Sequence, residues 1–251
     1  MTWNIHGAVG RNRRFDLARV VALIQRHEPD IVALQEIDSR RPGTGADNPF
    51  VVLQEALGRH GIGAKSITTT DGEYGQVLIS RWPLAACEVF DISYREREPR
   101  RAIRAEIDTP LGPLRVIATH LGLSVGERRN QAKALLDLAG SDAMTTVVLG
   151  DFNDWFWAGS VRQVLAGALP GLTRHRTFPS ICPMLRLDRI YCRPHNTLVR
   201  GWSDTAARHL SDHLPVIADV RIVNEPRVAL TGPGHAEREA GPVRAQESAD
   251  T

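Results

Sequence analysis

The chain is short of lysine, cysteine and long apolar runs, and each shortage excludes something. Lysine occurs only at Lys65 and Lys133 among 31 basic residues, so arginine carries nearly all the positive charge. A planar guanidinium suits phosphate oxygens, but a bias spread along the whole chain reads first as genome composition. Cys87, Cys182 and Cys192 are too few and too scattered for a disulfide framework or a zinc site, and they fit reduced intracellular thiols. No apolar stretch approaches the roughly 20 residues of a membrane-crossing helix. The first residues lack the charged and apolar regions of a signal peptide, so a cytoplasmic location is expected. The start is abrupt, because a buried strand would have apolar residues before Trp3, and this leaves room for an upstream leader.

The formal charge is +2, near balance, which does not suggest a protein that coats nucleic acid. Residues 224–251 hold three arginines against five acidic residues, a net −2, so +4 remains on residues 1–223. A chain of 251 residues that is 42% hydrophobic is long enough for one large α/β domain. After Val223 the composition turns to Pro, Gly, Ala, Glu and Arg, with too little apolar surface to offset the entropy of ordering. The expected organisation is a domain over 1–223 and a disordered tail over 224–251.

Apolar residues Leu17, Val20, Val21 and Ile24 recur at helical spacing, which predicts a helix over 16–28. Ile31–Leu34 reads as a buried strand leading into Glu36, 39–49 as a loop, and the stretch near 51–59 as a short helix. Gln76–Ser80 reads as a strand, and Ala102–Ile107 with Leu114–Thr119 as a strand pair joined by a Pro/Gly turn. A helix is expected over 126–139, a strand over Thr145–Leu149, and a helix capped by Ser160. Leu187–Cys192 and Val216–Val223 complete the strands.

Polar clusters sit where these apolar segments end. They are Trp3-Asn4-Ile5-His6, Leu34-Gln35-Glu36, Thr119-His120-Leu121, Gly150-Asp151-Phe152-Asn153 and Ser211-Asp212-His213-Leu214. Carboxylates, amides and imidazoles gathered at strand ends are the parts of a metal-assisted phosphoester hydrolase. Mg²⁺ prefers oxygen ligands and retains waters, so one or two carboxylates with substrate suffice. Glu36 is the natural ligand, supported by the Asn4 amide oxygen. Asp151 and Asn153 lie two apart and share a face if the chain is extended. His213 suits a general base or a phosphate donor, and His120 a phosphate donor.

In this order, TWNIHG, LQEI, YGQVLISRWPL, THL, GDFND, LDRIY and SDHLPV resemble the endonuclease/exonuclease/phosphatase superfamily over residues 2–222. That superfamily includes DNase I-like nucleases, exonuclease III-type AP endonucleases, inositol-polyphosphate 5-phosphatases and neutral sphingomyelinases. Leu-Gln-Glu alone is weak and Gly-Asp-Phe-Asn moderate; the ordered set is specific. The resemblance implies a four-layer α-β-β-α sandwich of two packed mixed sheets, with the site at one edge. It implies Asn4 and Glu36 at the metal, Mg²⁺ or alternatively Mn²⁺, and His120 on the scissile phosphate. It further implies Asp151 and Asn153 on the attacking water and transition state, Asp188 hydrogen-bonded to His213, His213 on the phosphate, and Asp212 near the metal. His6 stands where some AP endonucleases carry another acidic ligand, so that role does not transfer. The segment Asp154-Trp155-Phe156-Trp157 follows no nuclease signature and resembles small bacterial members of unassigned substrate.

Simpler readings stand beside these. Glu36 alone would pass for a surface or capping acid, Asn4 for a turn residue, His120 and His213 for core histidines, and Asp188 for a partner of Arg186 or Arg189. His6, His175, His195 and His209 are set aside as non-catalytic. The run Arg95–Arg104 reads as a solvated face, with Arg100 or Arg101 as candidates to meet substrate phosphates. The expected protein is a monomeric phosphoesterase acting by direct water attack on phosphorus, needing no obligate protein partner. Its substrate is a nucleic acid, or a phospholipid or other small phosphoester. The alternative is an inactive phosphate-binding or scaffold protein on the same fold.

Overall fold

The computed structural model describes residues 1–41, 48–155 and 160–223. Part of the 39–49 loop, Phe156, Trp157, the Ser160 side chain and the 224–251 tail lie outside these residues. In chain order the elements are β1 (Thr2–Asn4), α1 (Leu17–Arg26), β2 (Ile31–Asp38), α2 (Pro49–Leu57), β3 (His60–Thr69) and β4 (Gly72–Ser80). Then come β5 (Leu84–Asp91), β6 (Arg101–Thr109), β7 (Gly112–His120), α3 (Val125–Ala139) and β8 (Thr146–Asp151). The last are α4 (Ser160–Leu165), β9 (Gly171–Leu172), β10 (Asp188–Arg193), β11 (Leu198–Ser203) and β12 (Val216–Val220).

Two six-stranded sheets form, with orders β11-β12-β1-β2-β4-β3 and β5-β6-β7-β8-β10-β9. In each, one central pair is parallel, β1 with β2 and β8 with β7, and the other ladders are antiparallel. The two orders therefore match strand for strand, and the chain carries a structural repeat that its sequence does not display.

Side-chain alternation builds the layers. Along β2, Val32, Leu34 and Ile37 pack with Leu17, Val20 and Ile24 of α1 and Phe50 and Leu53 of α2, whereas Ala33 turns to the other face. Along β8, Val147 and Leu149 face the space between the sheets, while Val148 joins Ala132 and Leu135 of α3 and Val161 and Leu165 of α4. A strand buried on both faces needs a continuous apolar run, which is what these segments contain. Three apolar layers result, between helices and sheet, sheet and sheet, and sheet and helices. This is the four-layer sandwich.

Local signals set the helix ends. The Asp16 carboxylate accepts from Arg19 N–H at the start of α1. Asn48 caps α2 with Pro49 in its first turn, so this helix begins earlier than periodicity alone predicts. Ser124 and Glu127 form a reciprocal capping box on α3. No helix among the described residues is long and apolar enough to cross a membrane.

Candidate active site

The carboxyl ends of the two parallel pairs meet at one edge of the sandwich. Asn4 ends β1, Glu36 lies near the end of β2, His120 ends β7 and Asp151 ends β8. His120 and Asp151 are register partners, as are Asp151 and Asp188, the first residue of β10. Gly150 lets β7 and β8 come this close: at φ 155° it holds a conformation foreign to L side chains, and an added Cβ would lie 1.9 Å from the Thr119 carbonyl oxygen. Glu36 sits at a register shift between Leu34 and Ile37 with φ 58°. Asn153 has φ 50°, so Asp151 and Asn153 are not extended and do not share a strand face. Its N–H instead turns back to Asp151 Oδ1 at 2.9 Å. Left-handed non-glycine residues are costly and collect where side chains must be aimed.

The terminal Ser-Asp-His element is fastened to β1. Trp3 Nε1 donates to the His213 carbonyl at 2.9 Å, and Ser211 Oγ donates to the Asn4 carbonyl at 2.7 Å. From the other side, Ser180 N–H donates to the Asp212 carbonyl at 2.7 Å, and the Phe178 ring lies 4.9 Å from the His213 ring.

Within this frame the polar groups converge. Asn4 Nδ2 donates to Glu36 Oε1 at 2.8 Å and to Asp151 Oδ2 at 3.0 Å, while Asn4 Oδ1 accepts from His6 N–H at 3.1 Å. The amide nitrogen, rather than the oxygen, thus faces the two carboxylates. His213 Nδ1 lies 2.7 Å from Asp188 Oδ2, and its Nε2 lies 3.8 Å from Asp151 Oδ2. His120 Nε2 lies 3.6 Å from Asp151 Oδ2 and 4.0 Å from Glu36 Oε1. Arg100 Nη1 approaches His120 Nδ1 at 3.4 Å. A guanidinium has only donors, so Nδ1 accepts and the ring proton of neutral His120 is on Nε2, toward the carboxylates. Asn153 Nδ2 donates one hydrogen to the Leu121 carbonyl at 2.9 Å, leaving its second for another acceptor.

Charge follows from this packing. Burial opposes ionisation of Glu36, but hydrogen bonds from His6 and Asn4 with the field of His120 prevail and bring its pKa down to about 2. His120 is pushed down to about 3, first by burial and then by the Arg100 charge, so the ring is neutral. For the buried Asp151–His213 pair both pKa values rise. Burial raises that of Asp151, with a further push from the Asp188 charge. For His213 burial works downward, and the charges of Asp188 and Asp151 outweigh it. At neutral pH the edge therefore offers an anionic Glu36, a neutral donor His120, a cationic His213, and an Asp151 disposed to take up a proton.

All eight sequence-nominated residues, Asn4, Glu36, His120, Asp151, Asn153, Asp188, Asp212 and His213, lie on this edge. Arg186 and Arg189 do not engage Asp188; they donate to the carbonyls of Arg174 and of Asp154 and Arg186. The structure separates the two arginine candidates and adds a histidine that the sequence left aside. Arg100 is buried against His120, whereas Arg101 pairs with Asp91. The signal was the Pro99-Arg100-Arg101 start of β6, read as part of a solvated run. His6 Nδ1 lies 3.4 Å from Glu36 Oε2 and 3.7 Å from Asp212 Oδ1, and its pKa is raised foremost by the Glu36 hydrogen bond. Buried Asp151, Asp188 and His213 offer ligand atoms within 4.8 Å of one another and could also hold a metal ion.

Fold and site together define a phosphoester hydrolase class. The Endonuclease/Exonuclease/phosphatase family model matches residues 1–213, and the chain belongs to that family. It is 30% identical over 249 residues to YbhP of Escherichia coli strain K12, an uncharacterized protein, covering 88% of this chain and 95% of YbhP. Among solved structures, an endonuclease/exonuclease/phosphatase from Beutenbergia cavernae matches with a TM-score of 0.71 at 24% identity, covering 88% of this chain and 70% of that one. The mannosyl-6-phosphatase Bt3783 of Bacteroides thetaiotaomicron matches with a TM-score of 0.69 at 17% identity over 88% and 98% of the two chains. The human Nocturnin catalytic domain with bound sulfate matches with a TM-score of 0.67 at 18% identity over 88% and 92%. At these identities the structural likeness establishes the fold.

Proposed function

We propose that this protein is a divalent-metal-dependent phosphoesterase that hydrolyses its substrate by direct attack of water on phosphorus. The observation that carries this reading is the joining of Glu36, Asn4, Asp151, His213 and Asp188 in one continuous hydrogen-bonded and charged array, with His120 facing it. A structural salt-bridge network has no need to hold one imidazole neutral and another charged within reach of the same carboxylate oxygen.

The donor set fits a hard divalent ion. Glu36 Oε2 and Asp212 Oδ1 lie 3.4 and 3.7 Å from one positively disposed atom, His6 Nδ1, and both side chains are partly open to solvent. Glu36 and Asp212 would hold Mg²⁺ or Mn²⁺, with Asn4 fixing the Glu36 carboxylate from below. When bound, the ion supplies charge neutralisation at the phosphoryl oxygens. The Asp151–Asp188–His213 group is the less suitable holder, because its three side chains are buried and the Asp188 carboxylate already holds His213 by a 2.7 Å hydrogen bond.

Asp151, fixed by Asn4 Nδ2 and Asn153 N–H, orients the water and accepts its proton at Oδ2 as the new O–P bond forms. His213 Nε2–H and His120 Nε2–H donate to phosphoryl oxygens as charge builds on them, with the free Asn153 Nδ2 hydrogen as a third donor. The P–O bond to the leaving group breaks with its electron pair on oxygen, and His213 supplies the proton. Asp188 keeps the His213 ring charged and aimed.

Substrate class follows from the rim. Of nine exposed large hydrophobic side chains among the described residues, five lie on segments leaving the site: Leu123, Val125, Trp155, Ile181 and Met184. The near-neutral net charge offers little for a long polyanion. We therefore favour a phosphoester with an apolar or amphiphilic moiety over nucleic acid. Turnover of phospholipid vesicles, bis-p-nitrophenyl phosphate, inositol phosphates and plain and abasic DNA tests this, with Asp151→Ala as blank. DNA as the only substrate turned over would reverse the substrate assignment, and no turnover of any member would remove support for the activity.

A further inference from the structure

The chain between β9 and β10 forms a hairpin over 178–185 that no step of the proposed reaction uses. From Arg176 to Arg186 it reads Thr177-Phe178-Pro179-Ser180-Ile181-Cys182-Pro183-Met184-Leu185, without a charged residue. Its base is built into the catalytic edge. The Thr177 carbonyl accepts from Leu214 N–H at 2.9 Å, Ser180 N–H donates to the Asp212 carbonyl at 2.7 Å, and the Phe178 ring lies 4.9 Å from the His213 ring. Its tip is bare. Ile181 and Met184, both large and apolar, are 52% and 62% exposed, where a simple connection would carry polar turn residues. The backbone of the tip closes on itself. Cys182 N–H donates to the Pro179 carbonyl at 3.0 Å, and the Met184 and Leu185 N–H groups donate to the Phe178 carbonyl at 2.9 and 2.8 Å. A turn so closed can leave water without stranding these donors.

Leu123 and Trp155, 59% and 42% exposed, extend this apolar surface from the ends of β7 and β8. Buried Arg128 joins them, its Nη1 donating to the Leu123 carbonyl and its guanidinium lying 5.9 Å from the centre of the Trp155 ring. Arg189 links them to the hairpin, donating to the Asp154 carbonyl at 3.1 Å and to the Arg186 carbonyl at 2.9 Å. On the same segments and on the neighbouring 205–209 turn, Arg129, Arg174, Arg176, Arg186 and Arg208 are exposed, and none has an ion pair among the described residues. Elsewhere Arg26, Arg81, Arg104, Arg115 and Arg200 each meet a carboxylate within 3.0 Å. An apolar tip flanked by unpaired guanidinium groups complements a surface that is anionic outside and apolar beneath. A nucleic acid would use the arginines but leave the tip in water.

We infer that the 178–185 hairpin is an interfacial anchor, entering an anionic lipid bilayer together with Leu123 and Trp155 while the flanking arginines hold phosphate headgroups. This rests on the reading of the edge as the site of a phosphoesterase for amphiphiles, and it names the surface on which such a substrate is met. The hairpin base holds the His213 element, so the anchor sets that imidazole against the lipid.

The test is binding of the full chain to vesicles, read by flotation and by amide hydrogen exchange, beside turnover of soluble bis-p-nitrophenyl phosphate. Vesicles of phosphatidylcholine alone are compared with vesicles holding about 30% phosphatidylglycerol, in low salt and in about 0.5 M salt, where exposed charges are screened. The expected result is binding to the anionic vesicles that salt weakens without abolishing, with exchange slowed over 178–185. Ile181→Asp combined with Met184→Asp should raise the lipid concentration for half-binding at least about tenfold, because two apolar side chains are lost from the interface. Hydrogen exchange uses the unaltered protein, so a variant that folds poorly does not decide the matter. No binding to anionic vesicles, binding without slowed exchange at the hairpin, or equal binding by the folded double variant overturns the inference. Binding that the higher salt abolishes overturns it as well, as does duplex DNA bound in preference to anionic vesicles. Vesicle binding without turnover of the soluble diester supports the anchor and counts against the phosphoesterase reading. Turnover without vesicle binding removes the anchor and leaves that reading standing, so the two failures are distinguished.

Discussion

Replacing Asp188 by Asn isolates the electrostatic part of the account. The change keeps the size of a side chain that is fully buried and deletes the charge 2.7 Å from His213 Nδ1. That charge is the leading influence holding His213 protonated against its own burial. Without it only the charges of Asp151 and Asp212 oppose burial, and the His213 pKa falls. A charge-assisted hydrogen bond contributes about 1.5–3 kcal/mol, and loss of a positioned proton donor costs roughly 10²–10⁴-fold in rate. The expected kcat is therefore about 10²–10⁴-fold lower at neutral pH with KM within a few-fold. The pH profile carries the sharper signature. Deprotonation of His213 sets the basic limb, which moves to lower pH as its pKa falls. The acidic limb, set by Asp151, is pushed both ways, because loss of the Asp188 charge lowers its pKa while weaker protonation of His213 raises it, so the basic limb is the one to read. Steady-state kinetics of the metal-loaded enzyme from about pH 4 to 10 measure both limbs. A variant that keeps wild-type kcat with an unshifted profile refutes the assignment of Asp188 and His213.

Further predictions concern the frame and the pH response. Trp3→Phe removes the donor to the His213 carbonyl and should cost about 1–3 kcal/mol in denaturant unfolding, with a parallel fall in kcat; unchanged stability would count against this anchor. Gly150→Ala should lower stability by about 3 kcal/mol or more, or prevent soluble expression, since its Cβ meets the Thr119 carbonyl; a normal melting temperature would show that β7 and β8 do not approach this closely. His120 is neutral when folded, with a pKa of about 3, and titrates near 6.5 when unfolded. Between those values the unfolded chain binds the extra proton, so the His120 contribution to stability falls by up to about 1.4 kcal/mol per unit as pH drops from 6.5 toward 3. His120→Gln should flatten that part of the pH–stability curve, and identical slopes would argue against a neutral buried ring.

What the sequence displays depends on where a residue lies in the sheets. Eight interior strands have neighbours on both sides, and most carry the apolar runs or motif residues that mark them. The four edge strands β3, β5, β9 and β11 escape notice. β5 faces solvent along most of its length, and β3 interleaves glycine, lysine and threonine with few large apolar side chains. Edge strands hold their place through one ladder of backbone bonds, and backbone bonds leave little trace in side-chain chemistry. The same division applies to the candidate site. Residues inside compact motifs, such as Glu36, Asp151 and His213, are visible because a polar group interrupts an apolar run. Arg100 is hidden among five arginines, and only its burial beside His120 separates it from the exposed ones. His6 escapes for another reason: its partners are 30 and 206 positions away, Glu36 and Asp212, and only the fold brings them within reach. The Asn4 amide illustrates a limit of residue type, since an amide can face a carboxylate with either end and its orientation is set by the His6 N–H.

The most direct measurement is turnover of bis-p-nitrophenyl phosphate by the full chain, before and after complete chelation, with Asp151→Ala purified in parallel. The array of Glu36, Asn4, Asp151, His213 and Asp188 predicts metal-dependent turnover that EDTA abolishes, that added Mg²⁺ or Mn²⁺ restores, and that Asp151→Ala lacks. Turnover that survives chelation, or that Asp151→Ala retains at the wild-type rate, would contradict it.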